Sequence, residues 1–164
     1  MTLQHKFKSN SIIYSTPQSL FNHLNNEFHF TLDVCANSDN AKCEKYFTEE
    51  IDGLKQNWIG NCWMNPPYNR NLKIWMNKAQ EESQKHGSLI CCLIPVRSNT
   101  LWWKKVCFNS EIRFIIGEVN FNELKRGLWL PLCCIIFGTS KPNTFSYIDY
   151  KEIRKKESGC INRK

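Results

Sequence analysis

The sequence lacks the patterns that mark zinc sites, disulfide frameworks and membrane spans. Nine cysteines occur among its 164 residues, but no two form a Cys-x-x-Cys pair, so their spacing does not build a metal site. Their odd number and the absence of a signal peptide indicate a reducing, cytoplasmic location. No apolar stretch approaches the roughly 20 residues that span a bilayer. We therefore expect neither a metal nor a membrane role.

Internal repeats, low-complexity tracts and long linkers are also absent, which favours one compact domain over residues 1–150. Residues 151–164 contain six basic and two acidic residues and are predicted to be a basic C-terminal tail. The whole chain has a formal net charge of +7 and a pI near 9.0. This charge favours a polyanionic partner, because lysines and arginines release counterions from phosphates on binding. Simple solubility is the alternative explanation.

Short apolar runs and helical patterns alternate along the first half of the chain. Helices are predicted after Thr16-Pro17 and after Asn69 or Asn71, the second ending at Gly87. Strands are predicted near residues 30–36, 45–48, 62–64, 88–94, 112–116 and 132–137. Strands alternating with helices, followed by strand pairs, predict an α/β fold with a mostly parallel sheet and an antiparallel closing element.

Four residues, Asn65-Pro66-Pro67-Tyr68, directly follow the strand predicted at 62–64. The Asn65 side-chain oxygen and the Pro66 carbonyl can each accept one hydrogen of a planar amino group, and these bonds strengthen as positive charge builds on nitrogen during methyl transfer. The prolines fix φ and remove two N–H donors, so both acceptors are held rigidly at the sheet edge. Tyr68 offers a flat face for stacking a base. A plain proline-rich turn is the alternative, but the position after a buried-type strand favours catalysis.

Several short blocks around this tetrapeptide follow the order of one family. The blocks are Ser15-Thr16-Pro17, residues 28–36, 40–43, 46–48 and 52–54, Lys78-Ala79, residues 93–97, Trp102-Trp103, and Arg113-Phe114-Ile115 before Gly117. On these blocks the chain resembles the phage-type, Dam-like DNA N-6-adenine methyltransferases from about Tyr14 to Phe137. The resemblance implies a single-domain Rossmann-like fold, S-adenosylmethionine as cofactor, and site-specific methylation of the adenine 6-amino group in duplex DNA after base flipping.

The same resemblance implies where the cofactor binds. The segment with Thr16-Pro17 would hold its methionine end, the end of the first strand would line its pocket, and Asp52 would contact its adenine edge. Glu49 or Glu50 would take the ribose hydroxyls. The candidate cofactor-binding residues are Ser15, Thr16, Pro17, Asp33, Cys35, Ala36, Asp52 and Asn65. Taken without the family, Thr16-Pro17 is a plain helix start and Asp33 a turn-forming carboxylate.

The chain departs from the family pattern in two places. A glycine-rich loop after the first strand is missing, and residues 36–40 take its place. Glu118 follows Gly117 where the family commonly has a basic residue, which argues against a DNA contact there. The candidate DNA-binding residues are Arg97, Trp102, Trp103, Lys125 and Arg126. Trp103 with Val106 and Cys107 is equally well explained as a core-facing helical stripe.

Three activities fit the tetrapeptide. The first is methylation of adenine in DNA; the second is methylation of RNA or of a protein glutamine amide; the third is a non-catalytic nucleic-acid-binding relic, against which the intact motif counts. No separate recognition domain is evident, so a homodimer or a partner subunit is expected to complete recognition if the short segments do not. The sequence does not choose among restriction-modification, anti-restriction and regulatory roles.

Overall fold

The computed structural model describes residues 14–121 and 130–161, which form one six-stranded sheet with helices on both faces. Its helices and strands, in chain order, are α1 Gln18–Phe28, β1 Leu32–Asp33, β2 Asn61–Met64, α2 Leu72–His86, β3 Leu89–Pro95, α3 Leu101–Val106, β4 Glu111–Ile116, β5 Leu132–Phe137, β6 Thr144–Asp149 and α4 Tyr150–Ile161. A short 3-10 turn spans Gly53–Lys55.

The strand order is β1-β2-β3-β5-β4-β6, and β5 runs antiparallel to both of its neighbours. The other pairings, β1 with β2, β2 with β3 and β4 with β6, are parallel. The predicted α/β class and mostly parallel sheet are therefore confirmed. The antiparallel strand β5 is an inner strand, because it lies between β3 and β4 in the sheet. All six of its residues are buried, so both of its faces are covered.

Two predicted helices are confirmed and several strand limits change. Helix α1 begins one residue after Pro17, and α2 ends at Gly87, which has the left-handed backbone conformation typical of a helix end (φ 65°). Strand β1 has only two residues, and the predicted strand at 45–48 is reduced to a single bridge between Tyr46 and Asp33. Both segments are short because their polypeptide turns away at the sheet edge to build the site described below.

Strand β6 and helix α4 were not predicted. Residues 141–147 contain no apolar run from which a strand could be predicted, and all of them are exposed in the structure. Helix α4 includes most of the stretch predicted to be a basic tail, and Tyr150 and Ile153 attach it to the core. The predicted tail is therefore helical as far as residue 161.

The sheet separates two hydrophobic cores. On one face, α2 and α3 pack with Met76, Ala79 and Val106 against the sheet, and on the other face α1 packs with Leu20, Leu24 and Phe28. The paired cysteines of β3 and β5 are entirely buried (0% exposed) and act as small apolar side chains. No helix within residues 14–121 and 130–161 is long and apolar enough to cross a membrane.

Candidate active site

The carboxyl ends of β1 and β2 bring the principal predicted site residues to one edge of the sheet. Asp33 pairs with Trp63 in the parallel register, and the Val34 N–H donates to the Trp63 carbonyl at 3.0 Å. Asn65 lies two residues after Trp63, directly after the end of β2. Asp33 and Asn65 therefore lie on adjacent strands at the edge where ligand sites form in parallel α/β sheets.

The Asn65 amide is oriented by the segment that precedes α1. Its Nδ2 group donates to the Tyr14 carbonyl at 2.6 Å and to the Thr16 hydroxyl at 3.0 Å. The Tyr14 carbonyl can only accept, so the nitrogen of the amide must face it. Both amide hydrogens are then used within the protein, and the orientation of the side chain is fixed.

The other end of the same amide has no partner. Asn65 Oδ1 is buried, and it is the one buried side-chain oxygen or nitrogen without a hydrogen bond in the described ranges. An unpaired buried acceptor costs about 1–3 kcal/mol, so such atoms are rare in native proteins away from functional sites. Asn65 thus presents a fixed, unoccupied acceptor at the sheet edge.

Asp33 is an ionisable residue that lines the same pocket as Asn65. It is 2% exposed, and its carboxylate accepts the backbone N–H groups of Lys42 at 3.1 Å and Cys35 at 3.3 Å. Burial raises the pKa of Asp33 to about 6, although the two backbone hydrogen bonds and the charge of Lys42 oppose this effect. The site therefore holds a buried carboxylate that can pair with a cationic ligand.

Three aromatic rings lie beside the tetrapeptide. Tyr68 contacts Tyr14, with ring centroids 5.6 Å apart, and Phe121, at 6.3 Å, while Tyr14 and Phe121 lie 5.0 Å apart. The Tyr68 hydroxyl donates to the Leu93 carbonyl of β3 at 3.3 Å, and burial raises the pKa of Tyr68 well above its ordinary value. Tyr68 is therefore a neutral ring anchored to the sheet. We call Tyr14, Tyr68 and Phe121 the aromatic cluster.

A small pocket gathers many of the predicted cofactor-binding residues. Ser15, Thr16, Asp33, Cys35 and Asn65 all line it. Four further residues line it that were not among the predicted site residues: Tyr14, Asn40, Lys42 and Trp63. Asn40 and Lys42 belong to a block that the family resemblance included but gave no role. Tyr14 contributes a backbone carbonyl, which no side-chain pattern can reveal.

The remaining predicted cofactor residues lie outside this pocket lining. Pro17 is buried at the start of α1, and Ala36 donates its N–H to the Phe47 carbonyl at 3.0 Å. Asp52 forms an exposed ion pair with Lys55 at 2.8 Å. The next residue, Gly53, packs so closely on the Val34 carbonyl that a Cβ there would lie 2.2 Å from the oxygen. Asp52 is thereby held beside the end of β1, and its cofactor role stays a prediction.

Glu49 and Glu50 are both exposed on the loop that follows the Tyr46 bridge. The Glu49 charge contributes to the raised pKa of Cys35, whose value of about 12 is due mainly to burial and then to Asp33. The choice between Glu49 and Glu50 for the ribose contact stays a prediction.

The candidate DNA-binding residues fall into three groups. Trp103 belongs to α3, is 9% exposed and packs into the core. This agrees with the alternative of a core-facing helical stripe. Arg97 and Trp102 are partly exposed after β3, at the same sheet edge as Asn65. Lys125 and Arg126 lie outside the described residues. Glu118 is exposed after Gly117 and places an acidic group at that position.

Metal-ligating side chains do not assemble in the part of the chain that is described. No three His, Cys, Asp or Glu residues within residues 14–121 and 130–161 are close enough to hold an ion. The eight cysteines from Cys35 to Cys134 are all free thiols, and burial raises the pKa of Cys35 and of Cys43 to about 12.

Comparison with known proteins gives consistent matches. The model of the family described as DNA N-6-adenine-methyltransferase (Dam) matches residues 4–141. The DNA N-6-adenine-methyltransferase of Haemophilus phage HP1 is 29% identical over 171 residues, covering 95% of this chain and 97% of the phage protein. That of Escherichia phage T1 is 33% identical over 112 residues, which cover 66% of this chain and 46% of the T1 protein.

Among solved structures, a predicted O-methyltransferase from Agrobacterium tumefaciens matches with a TM-score of 0.38 and 17% identity, over 83% of this chain and 66% of that one. The family match takes in Asp33, the tetrapeptide and the strands that carry them. The chain belongs to the DNA N-6-adenine-methyltransferase (Dam) family.

Proposed function

We propose that this protein transfers a methyl group from S-adenosylmethionine to the 6-amino group of adenine in DNA, at the site formed by Asn65. The observation that carries the proposal is the unpaired, buried Oδ1 of Asn65, held by two hydrogen bonds on the opposite nitrogen. An amino group that donates to this oxygen relieves the unsatisfied acceptor. The relatives in phages HP1 and T1, both named DNA N-6-adenine-methyltransferases, support the same substrate.

Catalysis rests on how the amine is held. The nitrogen lone pair of adenine is delocalised into the ring, so the amine is a poor nucleophile until its geometry is constrained. Asn65 Oδ1 and the Pro66 carbonyl each accept one amino hydrogen, and both bonds strengthen as the nitrogen becomes positive. Because Asn65 is neutral, it imposes no ground-state charge. The proline pair keeps the two acceptors rigid.

The charge and hydroxyl groups of the pocket residues support S-adenosylmethionine as the cofactor. When bound, S-adenosylmethionine supplies an electrophilic methyl group on a sulfonium centre. Asp33 offers a buried carboxylate to a cationic ammonium group, and Ser15 and Thr16 offer hydroxyls beside it. Asp52, with Glu49 or Glu50, would serve the nucleoside end of the molecule. The family and the position of Asp33, Ser15 and Thr16 around the pocket support these roles.

The target base reaches Asn65 by leaving the duplex. Asn65 Oδ1 is buried, and adenine's amino group inside stacked DNA cannot contact a buried atom, which supports base flipping. In this proposal Tyr68, fixed by its hydrogen bond to Leu93, gives the extruded base a ring for stacking. Arg97 and Trp102, and the basic pair Lys125 and Arg126, are proposed to contact the DNA around it.

One assay tests both substrate and base. Purified protein is incubated with labelled S-adenosylmethionine and, separately, unmethylated duplex DNA, RNA and a whole-protein extract, and modified DNA positions are mapped by single-molecule sequencing. We expect labelled DNA with methylation confined to adenine in a short sequence context. Labelling of RNA or protein without DNA would contradict the proposal and indicate the second predicted activity. Absence of cofactor binding by calorimetry would leave only the non-catalytic alternative.

Base flipping has its own readout. A duplex with 2-aminopurine at the mapped target position becomes more fluorescent when the base leaves the stack. We expect an increase on binding wild-type protein and none when 2-aminopurine is placed three positions away. An unchanged signal at the target, with tight binding of the same duplex, would exclude extrusion of the base.

A further inference from the structure

Strand β6 is exposed in a way that the other strands are not. Thr144, Phe145, Ser146 and Tyr147 are all exposed, so the first four residues of β6 are uncovered on both faces of the sheet. The strand is last in the sheet order and pairs only with β4 among the described residues. Its outer edge therefore presents backbone N–H and C=O groups that no described part of the chain takes up.

The side chains of β6 do not protect this edge. Natural edge strands usually carry a lysine, a proline or a bulge that prevents pairing with another chain. Residues 144–149 read Thr-Phe-Ser-Tyr-Ile-Asp, with no proline or basic residue and with a continuous register along β4. Phe145 and Tyr147 are 70% and 71% exposed on one face, where their rings lie beside Phe114 of β4.

We propose that β6 is the interface of a homodimer in which two copies pair β6 with β6 in antiparallel orientation across a two-fold axis. A two-fold axis at Ser146 places Phe145 of one copy opposite Tyr147 of the second copy, and Thr144 opposite Ile148. Directly opposed residues of an antiparallel pair share a face, so the four exposed rings meet as two aromatic cross-strand pairs. Such self-complementarity is what an isologous contact requires.

A strand of the same chain is the occupant favoured by these features. Unpaired backbone groups along a regular strand are satisfied by another strand, and not by duplex DNA, while the aromatic residues match those enriched in protein interfaces. An aromatic side chain buries about 150–250 Å², so four rings exposed by 70–71% supply roughly 500 Å². Specific interfaces bury about 1,200–2,000 Å² in total, so the proposal requires the paired strands and the surfaces beside them to bury the remainder.

The pairing has a geometric consequence. Because β6 runs parallel to β4 and the second copy runs the opposite way, the two carboxyl edges point to opposite sides of the joined sheet. The two Asn65 sites therefore face away from each other and act independently. The dimer does not place two active sites on the two strands of one short palindrome.

The test is the oligomeric state of the full chain, measured by sedimentation velocity from about 1 to 100 µM. We expect a concentration-dependent dimer whose dissociation constant rises at least about 30-fold in the double variant Phe145→Thr/Tyr147→Thr, as for loss of interface hot spots. The control is Ile59→Thr, which removes a comparably exposed side chain (65%) beside β2, far from β6 in the sheet. Circular dichroism confirms that each variant is folded.

Several results would overturn the proposal. A wild-type monomer over the whole range, or a dimer equally weakened by both sets of substitutions, excludes the β6 interface. A dimer dissociated by removing residues 1–13 and not by the double variant assigns the contact to that segment. A monomer whose affinity for single-stranded oligonucleotides falls in the double variant identifies the aromatic face as a nucleic-acid site instead.

Cross-linking tests the register. Under mild oxidation by copper phenanthroline, Ser146→Cys is expected to form a disulfide-linked dimer above the wild-type background, since Ser146 faces itself across the axis. Thr144→Cys, which faces Ile148 of the second copy, is expected to form none. Equal cross-linking of the two variants, or none above wild type, would exclude this register.

Discussion

The Thr16 hydroxyl lies 3.0 Å from Nδ2 of Asn65 and accepts a hydrogen bond from a residue 49 positions further along the chain. With the Tyr14 carbonyl on the second amide hydrogen, this contact leaves the oxygen of the Asn65 amide unpaired. In the proposed function, the segment before α1 therefore positions Asn65 for catalysis, in addition to any contact with the cofactor.

Thr16→Val is predicted to lower kcat by about 3- to 10-fold, as expected for loss of one hydrogen bond that holds Asn65. Thr16→Ser keeps the hydroxyl and is expected to retain most of the activity. Pre-steady-state rates and cofactor affinity, measured separately, distinguish positioning from cofactor binding. Equal losses in both variants would show that the hydroxyl does not orient the amide.

Asn65→Asp is predicted to be active only at low pH. A carboxylate at this position would face the Tyr14 carbonyl at the 2.6 Å distance now spanned by an N–H donor, which is repulsive for two acceptors. A protonated carboxyl can donate to that carbonyl and keep its other oxygen as acceptor. Methyl transfer by the variant should therefore decline as pH rises, and a flat or rising profile would contradict this account of the amide orientation.

Asp33 is predicted to link pH to both stability and cofactor affinity. Its folded pKa of about 6 exceeds the ordinary 3.8, so the stability contributed by the protonated form is full below about pH 4 and is lost as pH rises through 6. The cost at neutral pH is about 3 kcal/mol, since one pKa unit corresponds to about 1.4 kcal/mol. Asp33→Asn should therefore become more stable relative to wild type between pH 4 and 7, as measured by urea unfolding.

Binding of a cationic ligand requires the opposite charge state of Asp33. Wild-type affinity for S-adenosylmethionine should fall as pH drops below about 6, by up to tenfold per pH unit. Asp33→Asn should bind weakly, with no pH dependence in this range. Calorimetric titration at several pH values checks both statements, and an Asp33→Asn variant that retains wild-type affinity would remove Asp33 from the cofactor site.

Arg113 joins α1 to β4 through an ion-pair network that is buried at Glu111 and exposed at Glu27. Its guanidinium contacts Glu111 at 2.7 Å and Glu27 at 2.6 Å, and it lowers the pKa of Glu27. Arg113→Ala leaves Glu111, 4% exposed, without its cation and is predicted to cost about 3–5 kcal/mol of unfolding free energy. Lys55→Ala, which breaks the exposed pair with Asp52, should cost less than about 1 kcal/mol. Equal losses of unfolding free energy in Arg113→Ala and Lys55→Ala would contradict the expectation that the buried Glu111 pair matters more than the exposed Asp52 pair.

Sequence patterns predicted the inner sheet well and its margins poorly. The apolar runs at β3 and β5 reflect strands buried on both faces, a signal that survives in one sequence. Strand β6 alternates aromatic and hydroxyl residues that are almost all exposed, so no burial pattern distinguished it from a loop. Helix α4 was obscured by its charge, because only Tyr150 and Ile153 attach it to the core.

The site was predictable where side chains carry the chemistry. Asn65 and Asp33 could be placed from their positions after predicted strands, since carboxyl ends of parallel strands share an edge. The orientation of the Asn65 amide could not be predicted, because it depends on hydrogen bonds to the Tyr14 carbonyl and the Thr16 hydroxyl, which are distant in the sequence. Trp103 could have been either a base-stacking or a core residue, and only packing decided for the core.

The most direct test of the central claim is the single-turnover rate of Asn65→Ala on duplex DNA, with methylated nucleosides identified by mass spectrometry. We predict that wild type yields 6-methyladenine alone and that the variant is slower by about 100- to 1,000-fold, the typical cost of removing one preorganised polar contact to a transition state. The variant should keep its fold, as checked by circular dichroism. A variant as fast as wild type, or a wild-type product methylated on another base, would contradict the role assigned to Asn65 Oδ1.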